Sequence, residues 1–324
     1  MSSLARSSWR AGALPAHLGM VLWALLVGLS FPAVGLLSQG LPPLALTSLR
    51  FVIAAAAVLP LVWRAPGLCP SRPGLLLYGL MGLCLAGFFG AMFWVAHLTS
   101  ALSMATLFVS VPLLAYTLGR LVGVEDPALS LLGLLLLGAA GAIALAWAEA
   151  GGSFANMRLG TGELVFFLGC IASALYPVLS KLGLARGWLS PHAGVRTLWS
   201  LVLGALLIGM LGVAAGDSTA LLKMTSRDLG ILVYLGLFSS GMTFWLQQYA
   251  TATLTPAGVT AYGYLVPFVS MWLLFVQMPT RISWLWLPGS VLVVAAIVLL
   301  LRRDMRQRRH AVPRTDAEPG CRMG

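Results

Sequence analysis

The chain has 324 residues, of which 59% are hydrophobic and only 9% charged, with a mean hydropathy of +0.93. So few polar groups cannot cover the surface of a water-soluble domain, which excludes a soluble enzyme or binding module and places the chain in lipid. The net charge of +11 does not read as a nucleic-acid footprint either, because Arg302, Arg303, Arg306, Arg308 and Arg309 cluster directly after the last apolar run, where anionic lipid contributes roughly 1 kcal/mol per residue.

Runs long enough to cross roughly 30 Å of hydrocarbon as helices fall at 18–37, 43–63, 74–94, 101–121, 129–148, 163–182, 193–213, 229–249, 257–277 and 284–301. They are continuous and lack the alternation of lipid-facing strands, which favours helices over a barrel. The expectation is an all-α integral membrane protein with ten transmembrane helices. The first run follows Arg10 and is long enough to stay as a span, so no separate signal peptide is expected. It carries Phe31-Pro32, and the second carries Arg50, 18 residues after that Pro. The third has Gly82, Ala86 and Gly90 at a four-residue period that invites close helix approach, and ends at Trp94 and His97. In the fourth, Ser100 precedes Pro112 by 12 residues.

The second half repeats these marks. Tyr176-Pro177 precedes Arg196 by 19 residues, and Thr255 precedes Pro267 by 12. Repetition at matching places predicts two five-helix repeats, over residues 1–148 and 149–301, followed by a basic cytoplasmic tail at 302–324. Five spans per repeat is an odd number, so the copies are inverted. With the amino terminus inside, Arg6, Arg10, Arg64, Arg72, Arg120, Lys181, Arg186 and the tail arginines lie in the cytoplasm, against Arg158, Lys223, Arg227 and Arg281 outside, as the positive-inside rule requires.

Arg50 and Arg196 have two readings. Each either snorkels to its own interface or faces an interior route, where intramembrane cations usually pair or line a pathway. Pro32 and Pro177 remove a backbone donor near mid-span, and Pro112 and Pro267 do so in the fourth and ninth runs; these are candidate hinges or static kinks. Ser190-Pro191 reads as the start of the helix carrying Arg196. Phe31, Trp94, Tyr176, Gln248 and Tyr262 are candidate lining residues, with an interfacial alternative for Gln248. No acidic residue falls at mid-membrane, which argues against a carboxylate proton shuttle there. Cys69, Cys84, Cys170 and Cys321 have no ligand spacing. No phosphate loop, metal motif or nucleophile set is legible, so no cofactor, metal or enzymatic activity is expected.

The stretch from Trp23 through Phe31-Pro32 to Leu49-Arg50-Phe51, the Leu98-Thr99-Ser100-Ala101 run to Pro112, Glu125 after it, and Gly162-Glu163 opening the second half resemble the drug/metabolite transporter superfamily, in particular its ten-span EamA-like exporters. The resemblance covers about residues 15–301. It implies an inverted-repeat bundle with both termini cytoplasmic, a central cavity, and alternating access that moves small organic solutes, often outward. Val124 stands where a Gly commonly precedes the acid, and Thr280 where members often have a second Glu, which favours a structural role for Glu125 at a helix end. The function expected is a secondary transporter, an exporter of small organic metabolites with an amino acid or related carboxylate favoured, in a bacterial inner membrane. A non-transporting scaffold or receptor is the alternative. Partners expected are the substrate and anionic lipid, not nucleic acid, with homodimerisation left open.

Overall fold

The computed structural model describes residues 13–95, 98–99, 101–153, 160–216, 218–277 and 284–311. His97, Ser100, Arg158, Thr280 and Arg281 lie outside the described residues, as does the side chain of Phe31. Every regular element described is helical: α1 (Ala13–Gly35), α2 (Pro43–Val62), α3 (Arg72–Val95), α4 (Ala101–Phe108), α5 (Val111–Leu121), α6 (Leu129–Glu149), α7 (Thr161–Ala185), α8 (Ala193–Ala215), α9 (Ser226–Tyr234), α10 (Thr243–Thr253), α11 (Pro256–Ala261), α12 (Leu265–Gln277) and α13 (Trp286–Ala311). Leu235–Met242, between α9 and α10, is a π-helix, and 3-10 turns occupy Ser218–Lys223 and Tyr262–Tyr264.

Among the described residues nine helical stretches are long and apolar enough to cross a membrane. One of them, Ser103–Leu121, contains the α4–α5 break; another, Ser226–Thr253, contains the π-helix. The remaining expected span, 257–277, is divided into α11, a 3-10 turn and α12, each too short to count alone. The prolines explain part of this. Pro112 and Pro267 open α5 and α12, where a missing N–H costs nothing because first-turn donors have no intrahelical partner. They start new helical pieces after a break and do not kink continuous spans. Pro32 falls in the last turn of α1, a correction to its expected mid-span place, whereas Pro177 lies inside α7. The last helix runs on to Ala311, so the backbone of the whole Arg302–Arg309 cluster is helical and continuous with the span.

Core packing joins distant parts of the sequence. One cluster gathers Met20, Leu131, Leu135, Leu145, Tyr264 and Val293 from α1, α6, α13 and the turn before α12. A second gathers Phe51, Val58, Met81, Leu85, Leu201 and Ile208 from α2, α3 and α8. Closest approach depends on glycine at two crossings. A Cβ on Gly82 of α3 would meet the Gly204 amide of α8 at 2.9 Å, and one on Gly289 of α13 would meet the Gly141 carbonyl of α6 at 2.8 Å; only a residue without a side chain lets these backbones touch. The expected small-residue face of α3 is therefore a packing face. Outward, Leu18, Leu76, Leu83, Leu168, Leu206 and Val291 stand exposed, an apolar surface suited to lipid and not to water.

Candidate functional site

The polar interior is organised around the two arginines. Arg196 lies in the first turn of α8, which begins after His192 and not at Ser190-Pro191 as expected. Ser190 is used otherwise: its hydroxyl donates to the Pro66 carbonyl at 2.7 Å and accepts the His192 amide. The Arg196 side chain is 0% exposed. Its Nη1 donates to the Ser190 and Pro191 carbonyls at 2.7 and 2.9 Å, its Nη2 to the Gln248 carbonyl at 2.6 Å, and its Nε to Gln248 Oε1 at 3.0 Å. The same Oε1 accepts the Ser180 hydroxyl at 2.6 Å. Gln248 is thus wholly buried, and the interfacial reading of it is set aside. A buried charge persists only when its donors are satisfied, and here protein oxygens satisfy four donations.

One turn away, Lys181 of α7 donates to three carbonyls at the end of α10 and beyond it, Thr251, Ala252 and Leu254, at 3.1, 3.2 and 3.0 Å. Helix-end carbonyls carry partial negative charge and have no intrahelical donor, so one ammonium closes this end and ties α7 to α10. Together Arg196, Gln248, Ser180 and Lys181 clamp α7, α8 and α10.

Arg50 of α2 is held differently. It is part-buried, and its Nε and Nη2 donate to the Ser240 hydroxyl at 3.2 and 3.0 Å, with Nη2 at 3.5 Å from Ser239 Oγ. Both serines belong to the π-helix. Widening the turn to i→i+5 bonds is rare and occurs mostly at functional sites; here it brings two consecutive hydroxyls to one guanidinium. Gly236 permits the approach, since a Cβ there would meet Ile53 Cγ2 at 2.7 Å and the Arg50 carbonyl at 3.2 Å. Among the described residues Nη1 of Arg50 donates to no protein group. Both guanidinium groups thus bond protein oxygens of neighbouring segments inside the bundle.

Aromatic rings lie between these two polar regions. Phe51, next to Arg50, packs edge-on against Phe89 and Phe244 at 5.4 and 5.6 Å, and Phe244 packs against Tyr176 at 5.8 Å. The Tyr176 hydroxyl is 2.9 Å from Ser200 Oγ. Trp94 stands apart in the last turn of α3, 53% exposed. Tyr262 also stands apart: it is buried in the 3-10 turn with its hydroxyl 2.7 Å from His17 Nδ1. A depression of about 680 Å³ opens where α2 ends, lined by Trp63, Arg64 and His192 among others; it lies on the surface, away from the Arg50–Ser240 pair.

Sequence reasoning found Arg50, Arg196, Tyr176 and Gln248, which the fold brings to the two polar regions. It missed Ser239 and Ser240, although two adjacent hydroxyls inside an apolar run were a readable signal. It also missed Lys181 and Ser180 as clamp residues, because their partners lie 68–73 residues away and no local pattern marks them.

The model of the EamA-like transporter family matches residues 14–147 and again 160–302. An uncharacterized transporter of Bacillus subtilis, YcxC, is 24% identical over 88% of this chain and 92% of its own length. An uncharacterized inner membrane transporter of Escherichia coli, YedA, is 30% identical over 80% of this chain and 82% of its own. A probable terminal-alkyne amino-acid exporter of Streptantibioticus cattleyicolor is 30% identical over 51% of this chain and 52% of its own length. One solved crystal structure shares the fold, with a TM-score of 0.70 at 19% identity over 92% of this chain and 99% of that one. A bundle of apolar helices with cations held inside it, matched twice by one family model, makes this chain an integral membrane transporter that belongs to the EamA-like transporter family.

Proposed function

We propose that the protein is a secondary transporter that exports small organic metabolites, with a carboxylate-bearing solute such as an amino acid favoured, by alternating access between two inverted five-helix repeats in a bacterial inner membrane, both termini inside. The ten spans of this reading are the nine long stretches plus α11–α12 taken as one interrupted span. The observation that carries it is paired packing. α3 packs on α7 as the π-helix and α10 pack on α1; α3 packs on α8 as the π-helix packs on α2; α4 and α5 pack on α7 as α12 packs on α1. Two further major pairs, α2 with α8 and α6 with α13, are each a segment against its own counterpart, and α5 with α11 joins the two interrupted spans. Taken span by span, a twofold exchange of the halves relates these pairs.

One departure from the exchange supports a reading of the state. α10 and α11 pack on α7 at the end clamped by Arg196 and Lys181, whereas among the described residues the counterparts, α3 and α4 on α1, show no comparable packing. In the proposed orientation the clamp is cytoplasmic, so the inner end is shut and the outer end looser. Arg50, with one guanidinium nitrogen uncommitted and two serine hydroxyls as exchangeable partners, suits a carboxylate. The terminal-alkyne amino-acid exporter among the relatives supports the same solute class. Uptake and release of labelled amino acids by vesicles containing the purified protein tests this: flux above empty vesicles, lost in Arg50→Gln, is expected. Absence of flux for every solute tried in the wild type would leave a scaffold or receptor as the better reading.

A further inference from the structure

Glu125, in the turn between α5 and α6, is a carboxyl group only 6% exposed. Its Oε2 accepts the Ala257 amide at 3.2 Å, and the Thr255 hydroxyl also bonds it. Both partners lie where α10 ends and α11 begins, 132 residues on from Glu125 in the case of Ala257. Lys181 grips the same turn from the other side through the Thr251, Ala252 and Leu254 carbonyls. The α10–α11 turn is therefore held by an ammonium on its carbonyls and by a carboxyl on its amide.

The charged surroundings of Glu125 come from several elements. On α13, Arg303 Nη1 is 2.9 Å from Asp304 Oδ1, and Arg303 Nε donates to Ser130 Oγ of α6 at 3.0 Å. Arg303 favours the Glu125 carboxylate and Asp304 opposes it. On α1, His17 is fully buried, with Nε2 3.7 Å from Asp304 Oδ2 and Nδ1 2.7 Å from the Tyr262 hydroxyl. On α5, Gly119 packs so closely that a Cβ there would lie 3.0 Å from Glu125 Cβ. Arg120 is next to it on that helix, Tyr116 bonds the Ala128 amide, and Asp126 follows in the turn.

We propose that Glu125 is a proton-operated latch on the inner end: it holds a proton more tightly while the α10–α11 turn is docked against it than when that turn has moved away, so that proton uptake favours docking. Docking buries the carboxyl, and burial penalises its charged form; undocking hydrates it and removes the penalty. Burial pushes the Glu125 carboxyl up to about 6 from an ordinary value of 4.5, against the smaller opposing pull of the Ala257 and Thr255 hydrogen bonds and Arg303. The sign follows from linkage: the state that holds the proton more tightly gains as pH falls. The docked state is favoured as pH falls from about 6 towards 4.5, by up to about thirty-fold over its ratio at neutral pH. The role in gating rests on the transport reading; proton binding rests on this geometry alone.

The test is amide hydrogen exchange of segment 250–265 in the full chain in lipid nanodiscs, from pH 4.5 to 7.5, corrected for intrinsic exchange rates. Protection rising with a midpoint near 6 as pH falls is expected, and Glu125→Gln is expected to be protected at every pH. Arg303→Gln should move the midpoint up and Asp304→Asn should move it down, a pair of opposite displacements that lost packing would not produce. A pH-independent wild-type segment overturns the latch, and so does an unchanged pH response in Glu125→Gln. A chain that shows the switch yet moves no solute sinks the transport reading and leaves the latch standing.

Discussion

Two arginines at matching places in the two halves of this chain have opposite fates. Arg196 is enclosed by three backbone carbonyls and a buried amide oxygen, all from its own half. Arg50 reaches across to the other half and meets two hydroxyls on a π-turn. The difference teaches that duplicated sequence does not fix duplicated roles. A cation tied to buried protein oxygens cannot leave without giving up bonds that solvent does not replace there. A cation tied to serine hydroxyls can, because a hydroxyl rotates and finds another partner. We read the first as a clamp and the second as the group that exchanges protein for solute.

The contrast can be broken by substitution, and the largest loss of stability is expected at the clamp. Arg196→Gln should cost about 3–5 kcal/mol, since it strands buried acceptors that a shorter neutral side chain cannot reach; thermal unfolding in detergent measures it. A loss below about 1 kcal/mol would mean that the clamp is not structural. Gly236→Ala comes next, at about 1–3 kcal/mol, because its methyl would overlap Ile53 and crowd the Arg50 carbonyl. It should also lower flux by separating the π-turn from α2. Lys181→Met should cost about 1–2 kcal/mol and speed amide exchange at the end of α10; unchanged exchange there would remove Lys181 from the clamp. Arg50→Gln should be the mildest for stability, under about 1 kcal/mol, yet should reduce flux at least about ten-fold, the loss of one good charge-assisted contact. If Arg50→Gln proved as destabilising as Arg196→Gln, the division of roles would be wrong.

Much of this fold was legible in the chain because lipid allows few solutions. Apolar runs of span length marked the helices, usually to within a few residues, and the paired Pro, Arg and Ser/Thr positions marked the two halves. The ends of α1 and the start signal of α8 were misread: the apolar run begins at 193, as the helix does, but Ser190-Pro191 does not open it because Ser190 turns to the Pro66 carbonyl, a tertiary bond with no local signal. The π-helix was not legible either, because Leu235–Met242 reads as an ordinary apolar stretch and its widened turn depends on packing against α2. At the site, the cations stood out against an apolar background, whereas their partners were common serines and backbone carbonyls. Trp94, chosen as an aromatic at a span end, is exposed on the surface of the bundle, which composition could not distinguish from a lining position.

The central claim is that the route past Arg50 communicates with the outer side while the Arg196 clamp shuts the inner side. A cysteine at Ser239, in a chain with its four native cysteines replaced by serine, reports this through a small membrane-impermeant thiol reagent in oriented vesicles. The account predicts labelling from the outer side and none from the inner side, with inner labelling appearing once Arg196 is replaced by Gln. Labelling from the inner side alone in the otherwise intact chain would contradict it.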